Sequence, residues 1–214
     1  MRHGADAVAR QAAPDTQLAA ARLYVITPDA ARERVLAVAA GAVRGGADVI
    51  QLRHKSMARG ELLGLAHELR ALIKGALFVV DDHVDIALLS GADGVHLGPE
   101  DLSFEAARKV AGERLLIGVS ASTSDAVPLG ADYVGCGPAF PTPVKPQKQV
   151  VGPAGVAALS AALAIPVFAI GGIDESNISQ LIEVGVRRVC VIRAVSEATD
   201  PEAATRRLRE IVDG

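Results

Sequence analysis

Tryptophan is absent from the chain, and aromatic residues make up only 3% of it. Because half of the 214 residues are hydrophobic, valine, isoleucine, leucine and alanine must fill the interior. Cysteine is equally scarce. Cys136 and Cys190 lie in apolar runs, without the spacing of a disulfide framework. They read as free core thiols of a reducing, cytoplasmic setting. No apolar run approaches the roughly 20 residues of a membrane span, which excludes a membrane role on this reading. Basic blocks are missing and the net charge is −3, which argues against nucleic acid as the main partner. His54, His67 and His83 have no spacing partner that would make a metal site. Residues 1–20 are alanine-rich but broken by Asp6, Arg10, Pro14 and Asp15, and lack the core of a signal peptide. They read as a loose or marginally helical extension ahead of one domain, 21–214.

What is present is a regular alternation. Apolar, strand-like runs recur at Leu23–Ile26, Val49–Leu52, Leu77–Val80, Gly94–Leu97, Leu115–Val119, Tyr133–Cys136, Val167–Ile170 and Arg188–Ile192. Helical patterns separate nearly all of them, the clearest being Leu62, Leu65, Leu69 and Leu72. Ser103, Asn177 and Asp200 are plausible helix starts. A short repeat precedes the even-numbered strands: Gly46-Ala47-Asp48, Gly91-Ala92-Asp93, Gly130-Ala131-Asp132 and Gly185-Val186-Arg187. A glycine that ends a helix in the left-handed region and turns into the next strand explains it. Eight such units predict a single (β/α)8 TIM barrel of the α/β class. An open doubly wound sheet has less support, since no Gly-x-Gly-x-x-Gly turn follows the first strand.

In a barrel, chemistry collects on the loops after the strands. The stretch from Phe78 to Asp101 carries two strands that each run into acids, Asp81-Asp82 and Glu100-Asp101. Charge is excluded from a buried strand, so these acids are expected just beyond the strand ends. Parallel strands bring Asp82 and Asp101 to the same mouth. Carboxylates without His or Cys suit a hard cation such as Mg²⁺. The competing reading is that each caps a helix.

After strand 2, periodicity places Gln51, Arg53 and Lys55 on one face and Leu52 and His54 on the other. Arg and Lys there suit phosphate oxygens. The alternative is a solvated charged strand end. Ser120, Ser122 and Thr123 offer hydroxyls after strand 5. About fourteen residues follow strand 6, including Thr142, Pro143, Val144 and Lys145, and are expected to form a lid. Gly171-Gly172 after strand 7 and Ile192-Arg193 after strand 8 fall where such barrels often hold a phosphate. His96, inside strand 4, reads as a hydrogen-bonded core residue.

These pieces resemble the thiamin-phosphate synthase family: Gln51-Leu52-Arg53-His54-Lys55, Gly91 to Gly98, Gly137-Pro138-Ala139-Phe140-Pro141-Thr142-Pro143-Val144-Lys145, and Ala169 to Ile173. They occur in order between about Leu23 and Val195. The resemblance implies a transferase that joins hydroxymethylpyrimidine diphosphate to hydroxyethylthiazole phosphate and releases diphosphate with Mg²⁺. It implies that Gln51 to Lys55 hold the pyrimidine diphosphate, with Asp81 beside it. It further implies that Asp82 and Asp101 bind the metal, that Ser120 faces the pyrimidine or diphosphate, and that Lys145 binds diphosphate. Thr142 to Val144, Gly172 and the Ile192–Arg193 pair would hold the thiazole phosphate. Arg53, Lys145 and Ser120 are then the candidate catalytic residues.

Three positions depart from the family pattern. Asp81 replaces a common Asn, Val144 a second Thr of the lid, and Arg193 a common Ser. A thiazole tautomerase of the same fold is a rival reading, but it uses a His where Thr123 stands. A non-catalytic phosphate-ligand barrel is the other, supported only by Asp81 and Val144. The sequence leaves the number of subunits open, a homo-oligomer included.

Overall fold

The fold is taken from a computed structural model, in which residues 13–143, 147 and 149–214 are described. Among these, eight parallel strands close into a barrel in sequence order, β1 pairing with β2 on one side and β8 on the other. The strands are β1 (Leu23–Ile26), β2 (Val49–Leu52), β3 (Leu77–Asp81), β4 (Gly94–Leu97), β5 (Leu116–Ser120), β6 (Tyr133–Cys136), β7 (Val167–Ile170) and β8 (Val189–Val191). The helices are α1 (Pro14–Ala20), α2 (Arg32–Arg44), α3 (Arg59–Leu72), α4 (Val84–Ser90), α5 (Phe104–Ala111), α6 (Gly152–Ala162), α7 (Ser179–Glu183), α8 (Arg193–Ser196) and α9 (Pro201–Asp213). Between β5 and β6 there is only one 3-10 turn, Ser124–Ala126. The predicted TIM barrel is the observed one.

The pleat decides which side chains meet. Leu23, Val25, Ile50, Leu52, Phe78 and Val80 face outward into the layer shared with the helices. Tyr24, Val49, Val79, Leu116, Tyr133, Phe168 and Cys190 pack together inside the barrel. Leu18 of α1 joins that inner cluster and is 4% exposed. At the upper ends of the strands the same inward register carries Gln51, Asp81, His96 and Ser120.

The opposite end is built on the repeated turn. Gly46, Gly91, Gly130 and Gly185 all have positive φ. The carboxylate of Asp48 accepts the backbone N–H of Leu23, that of Asp93 the N–H of Phe78, and that of Asp132 the N–H of Ile117. Each also holds a helix arginine: Arg209 of α9, Arg70 of α3 and Arg108 of α5 respectively. Each staple thus ties together a turn, a strand start and a helix.

Some boundaries shift from the sequence expectation. Asp81 is the last residue of β3 itself, its charge tolerated because Gln51, Arg53 and Lys55 surround it. β8 is shorter than expected, because Ile192 is already the N-cap of α8. Ser103 and Asp200 cap α5 and α9 with their side chains. Asn177 caps nothing; α7 begins at Ser179, and the Asn177 side chain instead donates to Gly172 O and accepts from Asp174 N.

Candidate active site

Three inward positions at the end of β2 converge on the end of β3. Gln51, 2% exposed, accepts from the Tyr24 hydroxyl at 2.7 Å and donates to Asp81 Oδ1 at 2.6 Å. Arg53 Nε lies 3.7 Å from Asp81 Oδ2. Lys55 Nζ lies 3.1 Å from the same oxygen and also bonds Asp82. The alternate residues point elsewhere. Leu52 is in the outer core, and His54 reaches the loop after β1, with Nε2 3.0 Å from Ala30 O and Nδ1 2.9 Å from Asp29 Oδ1. His54 is therefore not brought to the acid cluster.

Asp82 has φ 63, in the left-handed region rarely used by residues other than glycine. Such a conformation costs on the order of 1–3 kcal/mol and clusters at functional sites. It does not serve capping: α4 takes His83 as its N-cap with no side-chain bond, and α5 takes Ser103. Asp82 and Asp101 instead face one another within hydrogen-bonding reach. The Asp101 carboxylate also accepts from Gly98 N at 2.7 Å.

The charges there are tuned by their neighbours. Burial, then the charge of Asp82, pushes the Asp81 carboxyl up to about 6, against the pull of Lys55 and Arg53. Asp82 is pushed up most by burial, but its bond from Lys55, its contact with Asp101 and the charges of Lys55 and His83 together outweigh this and hold it below the usual range. Asp101 is raised by burial and by its contact with Asp82. For Lys55, burial is outweighed by Asp82 and Asp81, so the ammonium is held charged.

Ser120 at the end of β5 has its Oγ 2.9 Å from His96 Nε2. Below them lie Tyr24, Tyr133 and Phe168, which sequence reasoning passed over. The Tyr24 and Tyr133 hydroxyls are 3.0 Å apart, and Phe168 meets both rings edge-on. A small cavity of about 30 Å³ opens between Gln51, His96, Ser120 and these rings, room for about one water. The available signal was that both tyrosines of this aromatic-poor chain sit at inward strand positions. Gly118 makes space for the floor, since a Cβ there would lie 2.0 Å from Tyr133 Cζ.

The other rim is formed by the loops after β6, β7 and β8. Ala139 N donates to Ile170 O and Phe140 N to Gly171 O, so the start of the β6 loop lies along the Gly171-Gly172 turn. Gly172 has φ 66, and a Cβ there would be 2.5 Å from Pro141 O. Thr142 is half-buried and Pro143 exposed at this edge. Val144 and Lys145 lie outside the described residues. Arg193 opens α8, bonds Glu197 at 2.8 Å and feels the charge of Asp174 from the β7 loop. The two anion-suited groups, Arg53 with Lys55 and Gly172 with Arg193, thus sit on separate loops of one mouth.

Comparison with known proteins is decisive for the family. Residues 23–195 match the model of thiamine monophosphate synthase. This chain belongs to that family. It is 44% identical over 198 residues to the thiamine-phosphate synthase of Thermosynechococcus vestitus, covering 90% of this chain and 56% of that protein. It thus spans little more than half the length of that relative. Against the enzyme of a Mycobacterium species the identity is 44% over 211 residues, 90% of this chain and 93% of the relative. The thiamine phosphate pyrophosphorylase structure from Pyrococcus furiosus superposes with a TM-score of 0.82 at 38% identity, over 93% of this chain and 97% of that one. The family match and the barrel share their limits, since residues 23–195 run from the start of β1 into α8.

Among the described residues no helix is long and apolar enough to cross a membrane. No group of three or more His, Cys, Asp or Glu gathers there either. The paired carboxylates Asp82 and Asp101 still fit Mg²⁺, which takes one or two carboxylates and completes its shell with water and substrate phosphates. Cys136 and Cys190 are free and buried, with burial pushing the Cys136 thiol up to about 11; neither has the lowered pKa of a reactive thiol.

Proposed function

We propose that this barrel joins hydroxymethylpyrimidine diphosphate to hydroxyethylthiazole phosphate, releasing diphosphate and forming thiamin monophosphate. The observation that carries it is the convergence of Gln51, Arg53 and Lys55 on Asp81 and Asp82, with Asp101 facing Asp82 at the same mouth.

Asp82 and Asp101 would hold Mg²⁺, which when bound neutralises charge on the departing diphosphate. Arg53 supplies a planar donor pair for phosphate oxygens and Lys55 a point charge beside it. Both are fixed before substrate arrives, the condition under which charge stabilisation lowers a barrier most. Lys145 is assigned to the same diphosphate on the strength of the family motif.

Gln51, which lines the cavity, is held in one amide orientation by Tyr24 and Asp81 and keeps one Nε2 hydrogen for a substrate acceptor. The electron-rich aminopyrimidine stabilises the cation left when the carbon–oxygen bond to diphosphate breaks. The thiazole nitrogen then attacks that carbon with its own lone pair, so no general base is required. Ser120 is assigned to the pyrimidine or diphosphate. The aromatic floor leaves room for about one water, which limits competition for the cation. Gly172, Thr142 to Val144, Ile192 and Arg193 hold the thiazole phosphate and set the approach of the ring.

The test is to supply both substrates with Mg²⁺ and follow thiamin monophosphate and diphosphate together. Equimolar formation of both supports the reading. Binding of either substrate without product would assign a ligand-binding barrel, and conversion of a thiazole substrate alone would assign the tautomerase.

A further inference from the structure

The staples at the lower end of the barrel follow a fourfold pattern that fails once. In three units a helix arginine, the first N–H groups of an odd strand and an aspartate of the turn before the next even strand meet. These are Arg209, Asp48 and β1; Arg70, Asp93 and β3; Arg108, Asp132 and β5. The fourth unit has the same turn. Gly185 has positive φ, and Val186 N donates to Leu181 O as Ala47 N does to Ala42 O. The strand register sets Val167 of β7 opposite Arg187, as it sets Leu23 opposite Asp48. Yet the aspartate position holds Arg187, and α6 presents Ser160 instead of an arginine.

The space this leaves is a cavity of about 240 Å³, lined by Arg22, Ser160, Val167, Arg187 and Arg188 among others. Its cations are short of counter-charge. Arg22 pairs with Asp213 at 3.3 Å, but among the described residues neither Arg187 nor Arg188 has a carboxylate partner. Their recorded bonds run to backbone oxygens, Val212 O and Ala19 O. Among the described residues the Nε of Arg188 is buried without a partner, a state that costs free energy until an acceptor arrives. A guanidinium pair, a hydroxyl and the edge of a strand start form the donor set that oxyanions select.

We propose that this cavity is an anion site, in which one carboxylate or phosphate group of a small molecule takes the place of the missing fourth aspartate. It lies at the end of the barrel opposite the candidate active site. An anion bound there ties α6, β7 and the turn before β8 together as the three aspartates tie their own units. The site is independent of the proposed reaction.

The experiment measures melting temperature against inorganic phosphate, and separately against malonate, in metal-free buffer with ionic strength held constant by chloride. The full chain carries Arg53→Ala and Arg193→Ala, which weaken the phosphate positions at the other end. Stabilisation that saturates with either anion is expected, and the stronger of the two assigns phosphate or carboxylate as the ligand class. Adding Arg187→Asp restores the fourth staple internally. It should raise the anion-free melting temperature and weaken the apparent anion affinity by about tenfold or more. Arg188→Gln should weaken the affinity in the same direction, and serves if the aspartate variant does not fold. Turnover of Arg187→Asp in the otherwise unaltered chain should match the parent. No saturable response in the starting protein, or an unchanged response in both Arg187→Asp and Arg188→Gln, would overturn the site.

Discussion

Gln51 donates to Asp81 across 2.6 Å, joining the inward ends of β2 and β3. The carboxylate is buried beside Asp82 and raised to about 6, whereas an unfolded Asp titrates near 3.9. The folded metal-free protein therefore binds that proton more tightly than the unfolded chain. Its stability contribution is present at low pH and falls as pH rises from about 4 to 6, by on the order of 2–3 kcal/mol at most. Asp81→Asn removes the effect. The metal-free variant should melt above the parent at pH 7 and with it at pH 4, in thermal scans with chelator. An equal gap at both pH values would contradict this.

The same substitution bears on the cation. A carboxylate at Asp81 adds negative charge near Asp82 and Asp101, which favours Mg²⁺ and opposes diphosphate. One such charge pair at about 4 Å is worth up to about 4 kcal/mol at an effective dielectric near 20. Asp81→Asn should keep activity, need more Mg²⁺ for half-saturation, and bind the pyrimidine diphosphate at least as well when Mg²⁺ is saturating. A Mg²⁺ titration of the coupling rate reads this. Inactivity at every Mg²⁺ concentration would make Asp81 an essential ligand or proton carrier.

Gly118 is required by the aromatic floor. A methyl there meets Tyr133 Cζ at 2.0 Å, and the ring is buried against Tyr24 and Phe168. Gly118→Ala should cost about 1–3 kcal/mol of stability, the usual range for overpacking, and lower turnover as well by displacing the Tyr24–Gln51 contact. Denaturant unfolding gives the first and steady-state kinetics the second. An unchanged midpoint would show that the floor has slack.

Arg193 stands at the rim formed by the β7 and β8 loops, its guanidinium on Glu197 and within the field of Asp174. Arg193→Ala should raise the Michaelis constant for the thiazole phosphate more than that for the pyrimidine diphosphate, because it removes binding at an end that does not react. The opposite split would move the thiazole phosphate elsewhere.

Much of this was legible in the chain, for physical reasons that differ by residue. Buried parallel strands read as uninterrupted Val, Ile and Leu runs, and the glycine turns mark where each even strand begins. Period-two alternation correctly separated Gln51, Arg53 and Lys55 from Leu52 and His54. It could not show that Asp81 belongs to the strand, because its tolerance depends on Lys55 and Gln51 brought from β2. Nor could it show that Asp82 is left-handed, since aspartate is equally at home as a cap. The aromatic floor was missed because Tyr24, Tyr133 and Phe168 look like ordinary core residues until barrel closure sets them face to edge. Asn177 misled as a helix start, because the Asp174 turn captures its side chain. The repeat was visible, but the staples made by its aspartates needed the strand register.

The central claim is that Arg53, with Lys55 and the Asp82–Asp101 pair, manages the leaving diphosphate. The most direct measurement is the rate of diphosphate release by the parent and by Arg53→Ala, with both substrates and Mg²⁺ saturating and folding checked by circular dichroism. Loss of one such donor is expected to lower turnover by about 10²–10³-fold with the fold intact. A folded Arg53→Ala protein that releases diphosphate at the parent rate would contradict the account.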